Sequence, residues 1–316
     1  MKAVVLDAKG ARLDAAYVRP TPERDEALIK TRYAGICDTD VALAAGYLSF
    51  AGVPGHEFVG VVEAGPAGWL GKRVVGEINC PCGVCERCLA GEGNHCSFRT
   101  VLGLSGRPGV LAEYFLLPSA NLHEVPAAVT DEAAVFTEIL AAAVNIIDRV
   151  HVPSSARVAV LGDGKLGLMA AQVINLTGAA VTVIGRHAER QATLAAMGRP
   201  VPFISPGEAP AGHYDVLVEA TGAPDGLSYA LRYVRPRGTV VLKTTAADAG
   251  AADLAPAVVN EVTVVGNRCG PFGPALALLA GKLINPLPLV EGVHAPEEAP
   301  GLISRGAPGL KHLIRF

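Results

Sequence analysis

Between Val158 and Gly167 the chain reads Val-Ala-Val-Leu-Gly-Asp-Gly-Lys-Leu-Gly, and this stretch narrows the possible folds more than any other. An apolar run ends in G-x-G-x-x-G, and an apolar helical pattern opens directly behind it. The first glycine permits a tight turn, the second lets backbone approach a pyrophosphate, and the third lets helix pack on strand, with the phosphates at the positive end of the helix. Taken alone the motif is weak, because a purely structural glycine turn can match it, so its surroundings decide. From Ala156 onward strand-like runs begin near Arg157, Ala180, Val201, Asp215, Thr239 and Val262. Helical stretches fall at 165–177, 188–197 and 224–234, and a closing helix near 274–283. Six short apolar strands joined by helical crossovers predict a parallel sheet covered on both faces. A dinucleotide is then expected on Gly162, Gly164, Lys165, Leu166 and Gly167. The carboxyl ends of the strands should line the same crevice, which brings Gly185, Arg186 and Thr221 to it; for Thr221 the plainer alternative is ordinary strand-to-helix turn chemistry.

Ahead of Ala156 the texture is different. Residues 1 to about 124 carry short β-type runs broken by Gly and Pro, among them Ala27 to Lys30, Phe58 to Val62 and Val110 to Leu117, which predicts a compact, mostly antiparallel β domain. Asp131 to Val150 reads as one helix with Thr130 as its N-cap. Residues from about 285 carry five prolines and are expected to return to the first domain and complete its sheet. At 316 residues, two domains are the default. The division expected is 1–140 with 285–316 for the β domain and 141–284 for the α/β domain.

A net charge of −3 and a pI near 6.2 supply no basic field for nucleic acid or anionic lipid, so a small-molecule partner leads. Leu166 to Gly185 is uncharged and as long as a membrane span, but Gln172, Asn175, Thr177 and Gly178 interrupt it and a helix followed by a strand accounts for it better. Lys2 and Asp7 flank the first apolar run too closely for an export signal, and a cytoplasmic protein is expected.

In a reducing compartment the seven cysteines point to metal or catalysis rather than disulfides. Cys82, Cys85, Cys88 and Cys96 form C-x2-C-x2-C-x7-C on one short loop. Four thiolates so delivered suit a closed tetrahedral zinc site that stabilises local structure and leaves no position for substrate. An iron–sulfur cluster fits the final gap poorly. Cys80 lies close enough to compete as a ligand but is read as a packed free thiol. A second pattern, Gly35-Ile36-Cys37-Asp38-Thr39-Asp40 with Gly55-His56-Glu57-Phe58, gathers donors from separate loops, as catalytic zinc sites do; singly, Cys37 or His56 would read as a core residue.

The order G-I-C-x-T-D, G-H-E-F-x-G, four-cysteine loop and G-D-G-K-L-G, ending in Gly266-Asn267-Arg268-Cys269-Gly270-Pro271-Phe272, closely resembles the zinc-containing medium-chain dehydrogenases/reductases. Within that superfamily it stands near the threonine and sorbitol dehydrogenases. The resemblance implies a Rossmann domain with a six-stranded sheet beside a GroES-like catalytic domain, two zinc ions per chain, and oxidation of an alcohol or polyol by a nicotinamide cofactor. It makes Cys37 and His56 ligands of the catalytic zinc, Thr39 the hydroxyl that hands on the substrate proton, and Asp40 the partner of His56. The remaining ligand in such enzymes is an acid, either Glu57 or Glu138. Ile139 stands where relatives usually have Pro, which loosens the placement of Glu138. A homo-oligomer, dimer or tetramer, is implied through the cofactor domain. Rival readings on the same scaffold are a non-catalytic redox sensor and a zinc-free enone or quinone reductase.

Cofactor choice has a signal of its own. Sites preferring NAD place Asp or Glu about twenty residues after the glycine motif, on the ribose hydroxyls. Here Gly185 stands there, followed by Arg186, His187 and Arg190, and a guanidinium can pair with a 2′-phosphate that a carboxylate would repel. NADP(H) is therefore expected over NAD(H), and Gly185→Asp is expected to shift the preference back.

Overall fold

The computed structural model describes residues 1–245 and 253–316. Its contacts divide the chain into two units, Met1–Glu138 with Val290–Phe316, and Ile139–Leu289.

The first unit opens with the hairpin β1 (Ala3–Asp7) and β2 (Gly10–Asp14), whose inner residues Ala3 and Val5 pack with Val53 and Ala112. Strand β3 (Glu26–Gly35) is the axis of the main sheet, and after it the short helix α1 (Asp38–Ala44) leads by a loop into β4 (Glu57–Ala64). Strands β3 and β4 pair antiparallel, with Gly35 opposite Glu57. A side chain at Gly35 would place its Cβ 2.7 Å from Glu57 Oε2, so the glycine leaves the carboxylate its room. Strand β5 (Arg73–Gly76) extends the sheet. The strands β6 (Asn79–Cys80), β7 (Thr100–Leu102) and β8 (Gly106–Arg107) form a small separate sheet, and the cysteine loop with helix α2 (Glu86–Leu89) is carried between the first two. Strands β9 (Tyr114–Pro118) and β10 (Leu122–Glu124) return to β3 and β5 respectively.

The single helix expected over 131–150 is instead two. Helix α3 (Asp131–Ala134) starts at Thr130, whose Oγ1 accepts from Ala133 N at 3.3 Å as a cap should, and α4 (Thr137–Arg149) follows after Val135 and Phe136. Thr137 Oγ1 donates to Ala134 O at 2.7 Å. That hydroxyl takes a carbonyl the helical ladder would otherwise use, a habit of Thr that periodicity alone does not register.

The second unit alternates strand and helix. In chain order it contains β11 (Arg157–Leu161), α5 (Lys165–Asn175), β12 (Ala180–Ile184), α6 (Arg190–Met197), β13 (Phe203–Ile204), β14 (Tyr214–Glu219), α7 (Gly226–Tyr233), β15 (Val234–Leu242), α8 (Ala255–Val259), β16 (Thr263–Gly266) and α9 (Phe272–Ala280). Among the described residues the six strands are all parallel, in the order β13-β12-β11-β14-β15-β16, so the order reverses beside β11. A crevice at the carboxyl ends of β11 and its neighbours is the consequence. The uncharged run Leu166–Gly185 lies in α5 and β12, and no helix among the described residues is long and apolar enough to cross a membrane.

The chain then re-enters the first unit. Strand β17 (Val290–His294) and, after α10 (Ala299–Ser304), strand β18 (Lys311–Arg315) pair with each other, and β18 adds antiparallel to β3. The main sheet thus runs β10-β5-β4-β3-β18-β17 with β9 also on β3, mostly antiparallel and completed by the late residues, as expected from the sequence.

Candidate functional site

Three places gather groups able to carry chemistry. The first is the loop between β6 and β7. The sulfurs of Cys82, Cys85, Cys88 and Cys96 converge, with separations of 3.6 Å (Cys82–Cys96), 3.5 Å (Cys85–Cys88), 3.7 Å (Cys85–Cys96) and 3.9 Å (Cys82–Cys88). Four sulfurs ~2.3 Å from one zinc in a tetrahedron stand ~3.8 Å apart, so this donor set fits the ion without rearrangement. Backbone N–H groups of Cys82 and Phe98 point at Cys96 Sγ, at 3.5 and 3.3 Å, and bring its thiol down to about 6 against the effect of burial. A thiolate is thereby favoured at the innermost of the four. Cys80 is buried apart from them, its Sγ 3.8 Å from Ile78 O.

The second place joins the start of α1 to the start of β4. Ligand atoms of Cys37, His56 and Glu57 all lie within 4.8 Å of one another, with His56 and Glu57 buried and Cys37 half-buried. Cys37 is the N-cap of α1, and Thr39 Oγ1 stands 3.7 Å from its sulfur. Asp40 is completely buried. Its Oδ2 accepts from Cys37 N at 2.8 Å and its Oδ1 from Gly55 N at 3.0 Å, so one carboxylate ties the cysteine loop to the histidine turn. Asp40, expected behind His56, stands with Oδ1 3.8 Å from Nδ1, near enough to act through its charge though beyond hydrogen-bond length. Burial drives the Asp40 carboxyl upward.

The buried His56 Nδ1 has no hydrogen-bond partner. Burial lowers the affinity of this ring for a proton, but the Cys37 sulfur and the carboxylates of Asp40 and Glu138 outweigh it and raise His56 well above the ordinary imidazole range. A pocket that so favours positive charge on a ring suits a cation in the proton's place, and a sulfur, an imidazole and carboxylates are the donor types zinc takes. Glu138, near the start of α4, is half-buried and acts on His56 through its charge.

Sequence reasoning missed one member of this cluster. Lys311, on β18, is fully buried and donates from Nζ to Glu57 Oε2 at 2.5 Å and to Ile36 O at 3.1 Å. The signal was there: a lysine in the strand Lys311-His312-Leu313-Ile314, among apolar residues buried on both faces, needs a buried acid.

The third place is the turn from β11 into α5. Gly162 has φ +116°, a conformation side chains rarely adopt, and a Cβ there would lie 2.5 Å from Ala220 O. A Cβ on Gly167 would strike Gly162 O, whereas one on Gly164 would meet nothing within 4 Å. Gly164 is the N-cap of α5 and offers no side-chain cap, so the helix start faces open space. Turn, open approach and close helix packing are the three duties read from the motif, and this cradle fits a pyrophosphate. Lys165 is buried and Leu166 half-buried. Thr221 is spent on its turn: N and Oγ1 donate to the buried Glu219 Oε1, at 2.8 and 2.5 Å, and Oγ1 accepts from Ala223 N at 3.0 Å. Arg186 is exposed; Gly185 is buried beneath a carboxylate that comes from the glycine loop itself, Asp163.

Comparison with known proteins follows the same division. Residues 23–127 match the alcohol dehydrogenase GroES-like domain, and residues 166–280 match the zinc-binding dehydrogenase family. The sorbitol dehydrogenase of Halalkalibacterium halodurans is 30% identical over 314 residues, covering 92% of this chain and 91% of that one. This chain belongs to the zinc-containing medium-chain dehydrogenase/reductase superfamily. Solved members agree in fold. A chain from Sinorhizobium meliloti 1021, described as a zinc-binding dehydrogenase and bound to NADP, superposes with a TM-score of 0.88 at 28% identity, covering 100% of this chain and 99% of that one. An alcohol dehydrogenase of Escherichia coli CFT073 complexed with NADH gives 0.90 at 25% identity over the same shares. As a medium-chain dehydrogenase the chain is an oxidoreductase, with zinc and a nicotinamide as the cofactors its family and neighbours support.

Proposed function

We propose that this chain oxidises an alcohol or polyol, or reduces the matching carbonyl, with NADP(H) preferred and two zinc ions bound per chain. The observation that carries the reading is the meeting of Cys37, His56 and Glu57 within 4.8 Å, beside the Thr39 hydroxyl and distinct from the four-cysteine loop. In this reading Cys82, Cys85, Cys88 and Cys96 hold the structural ion, Cys37 and His56 are fixed ligands of the catalytic one, and Glu57 and Glu138 share its remaining protein position unequally. Lys311 competes for Glu57, which favours Glu138 as the longer-lived ligand. Zinc, when bound, acidifies a coordinated hydroxyl, and a nicotinamide takes up hydride.

The chain's own residues do the rest. Thr39 Oγ1 receives the hydroxyl proton and passes it outward, and Asp40 holds the Cys37 and His56 loops in register. Gly162, Gly164 and Gly167, with the backbone of Lys165 and Leu166, bind the cofactor phosphates in the second unit. Gly185, Arg186 and the Thr221 turn border its nucleoside. Val258 and Val259 on α8 and Val264 on the edge strand β16 are 77%, 79% and 40% exposed, which supports assembly through this unit into a dimer or tetramer; light scattering of the purified protein tests that.

The test is steady-state kinetics over primary alcohols, secondary alcohols, polyols and amino alcohols with both cofactors, together with metal analysis. The expected result is turnover of one class, a higher kcat/KM with NADP(H), and two zinc per chain. Thr39→Ser should retain substantial activity while Thr39→Val loses roughly 10²-fold or more in kcat. An active Val variant would remove Thr39 from the proton path.

A further inference from the structure

The acid expected at the end of the second strand in NAD-preferring sites is absent from this sequence, yet the space beside that strand end is filled by a carboxylate. A Cβ on Gly185 would lie 2.5 Å from Asp163 Oδ2 and 2.7 Å from Asp163 Cβ, and would also run into the Phe203 ring. Asp163 is the residue between the first two glycines of the loop, and it is only 7% exposed. Its oxygens face the turn 185–190. Oδ2 accepts from His187 N at 2.7 Å, His187 Nδ1 lies 3.1 Å from each oxygen, and Arg190 Nη1 donates both to Oδ1 at 3.2 Å and to the Asp163 carbonyl at 2.9 Å.

Two consequences follow from this geometry. The Asp163 carboxylate is occupied by protein donors, so it neither seeks the ribose hydroxyls nor stands as an unpaired negative charge opposite a 2′-phosphate. The same bonds tether the turn bearing Arg186, His187 and Arg190 to the loop that would carry the pyrophosphate, fixing how far the basic groups stand from it. Preorganisation of this kind improves affinity because fewer rotamers are lost when the ligand binds. Glu189, the remaining charged residue of the turn, is exposed to solvent.

We propose that Asp163 is a positioning residue for cofactor selection: by anchoring His187 and Arg190 it holds the turn as a ready receptor for the adenosine 2′-phosphate, and Gly185 is required because any side chain there would displace it. This rests on the NADP(H) reading above. The experiment measures binding of 2′,5′-ADP and of 5′-AMP to the purified full chain by calorimetry, without turnover. Wild type should favour 2′,5′-ADP. In Asp163→Asn one acceptor oxygen is replaced by a donor facing the same N–H groups, and the preference should fall about tenfold, the size of one charge-assisted hydrogen bond, with 5′-AMP affinity changed much less. Arg190→Gln, altered at a partly exposed site, should move the ratio the same way and keeps the test available if Asp163→Asn does not fold. Equal weakening of both ligands, or an unmoved ratio in both variants, would overturn the assignment while leaving the cofactor reading standing. A preference for 2′,5′-ADP that rises in Asp163→Asn would also overturn it, since Asp163 would then be repelling the phosphate. A wild type indifferent to the 2′-phosphate defeats both.

Discussion

Replacing Lys311 by Met should destabilise the first unit by about 3–5 kcal/mol, because the Glu57 carboxylate would lose its buried counter-ion. Both side chains are almost wholly excluded from solvent, Lys311 at 0% and Glu57 at 1%, so water cannot take the lysine's place. At ~2–4 °C per kcal/mol, the thermal midpoint should drop by about 10 °C. Lys311→Met combined with Glu57→Gln should be less damaging than the single change, since a neutral amide costs far less to bury than a carboxylate deprived of its lysine. Thermal melts of the single and double variants, each with and without a chelator because a bound zinc can stand in for the lysine beside Glu57, check this, and a double variant as unstable as the sum of its parts would show that the pair does not act as a pair.

The two proposed metal centres should separate by phenotype. In Cys82→Ser the closed thiolate set is broken, and the loop between β6 and β7 has little else to order it: Val84 and Leu89 are 78% and 77% exposed and form no core. The expected result is loss of one zinc per chain and a lower melting temperature. Cys37→Ser removes a donor from a cluster whose loops are still tied by Asp40 to Cys37 N and Gly55 N, so folding should be retained while turnover falls below detection. Metal analysis, melting curves and kcat on the same preparations distinguish the two, and equal loss of folding in both variants contradicts the division of labour.

Most of the architecture could be read before the structure, because its signals are local and repeated. Strand, glycine turn and helix follow one another in β11 and α5 within a few residues, and the six-fold alternation of the second unit states its own topology. The cysteine loop is equally local, with all four donors inside fifteen residues of chain. What escaped was set by distant partners. Nothing near Lys311 announces Glu57; nothing near Asp163 announces that its carboxylate lies over Gly185. For that reason the expectation that Gly185→Asp would restore NAD(H) preference needs correcting, since the new side chain would collide with Asp163 and Phe203 and set two carboxylates against each other. The break between α3 and α4 escaped for a smaller reason, a single Thr137 hydroxyl diverting the Ala134 carbonyl.

The place of β18 in the main sheet bears on how the protein is made. Ile36 and Lys311 are 275 residues apart and share a hydrogen bond, so the donor cluster around Cys37 and His56 is finished only when the ribosome has passed every residue in between. The second unit, Ile139–Leu289, lies wholly within that interval and precedes the last two strands of the first. Until then β3 offers an open edge where β18 will pair, and an early-bound metal ion would meet a Glu57 without its lysine. Closing so long a loop is slow, and an uncovered strand edge invites pairing with another chain. The first unit is therefore the later of the two to be completed along the chain, and the edge of β3 is the part of it that waits.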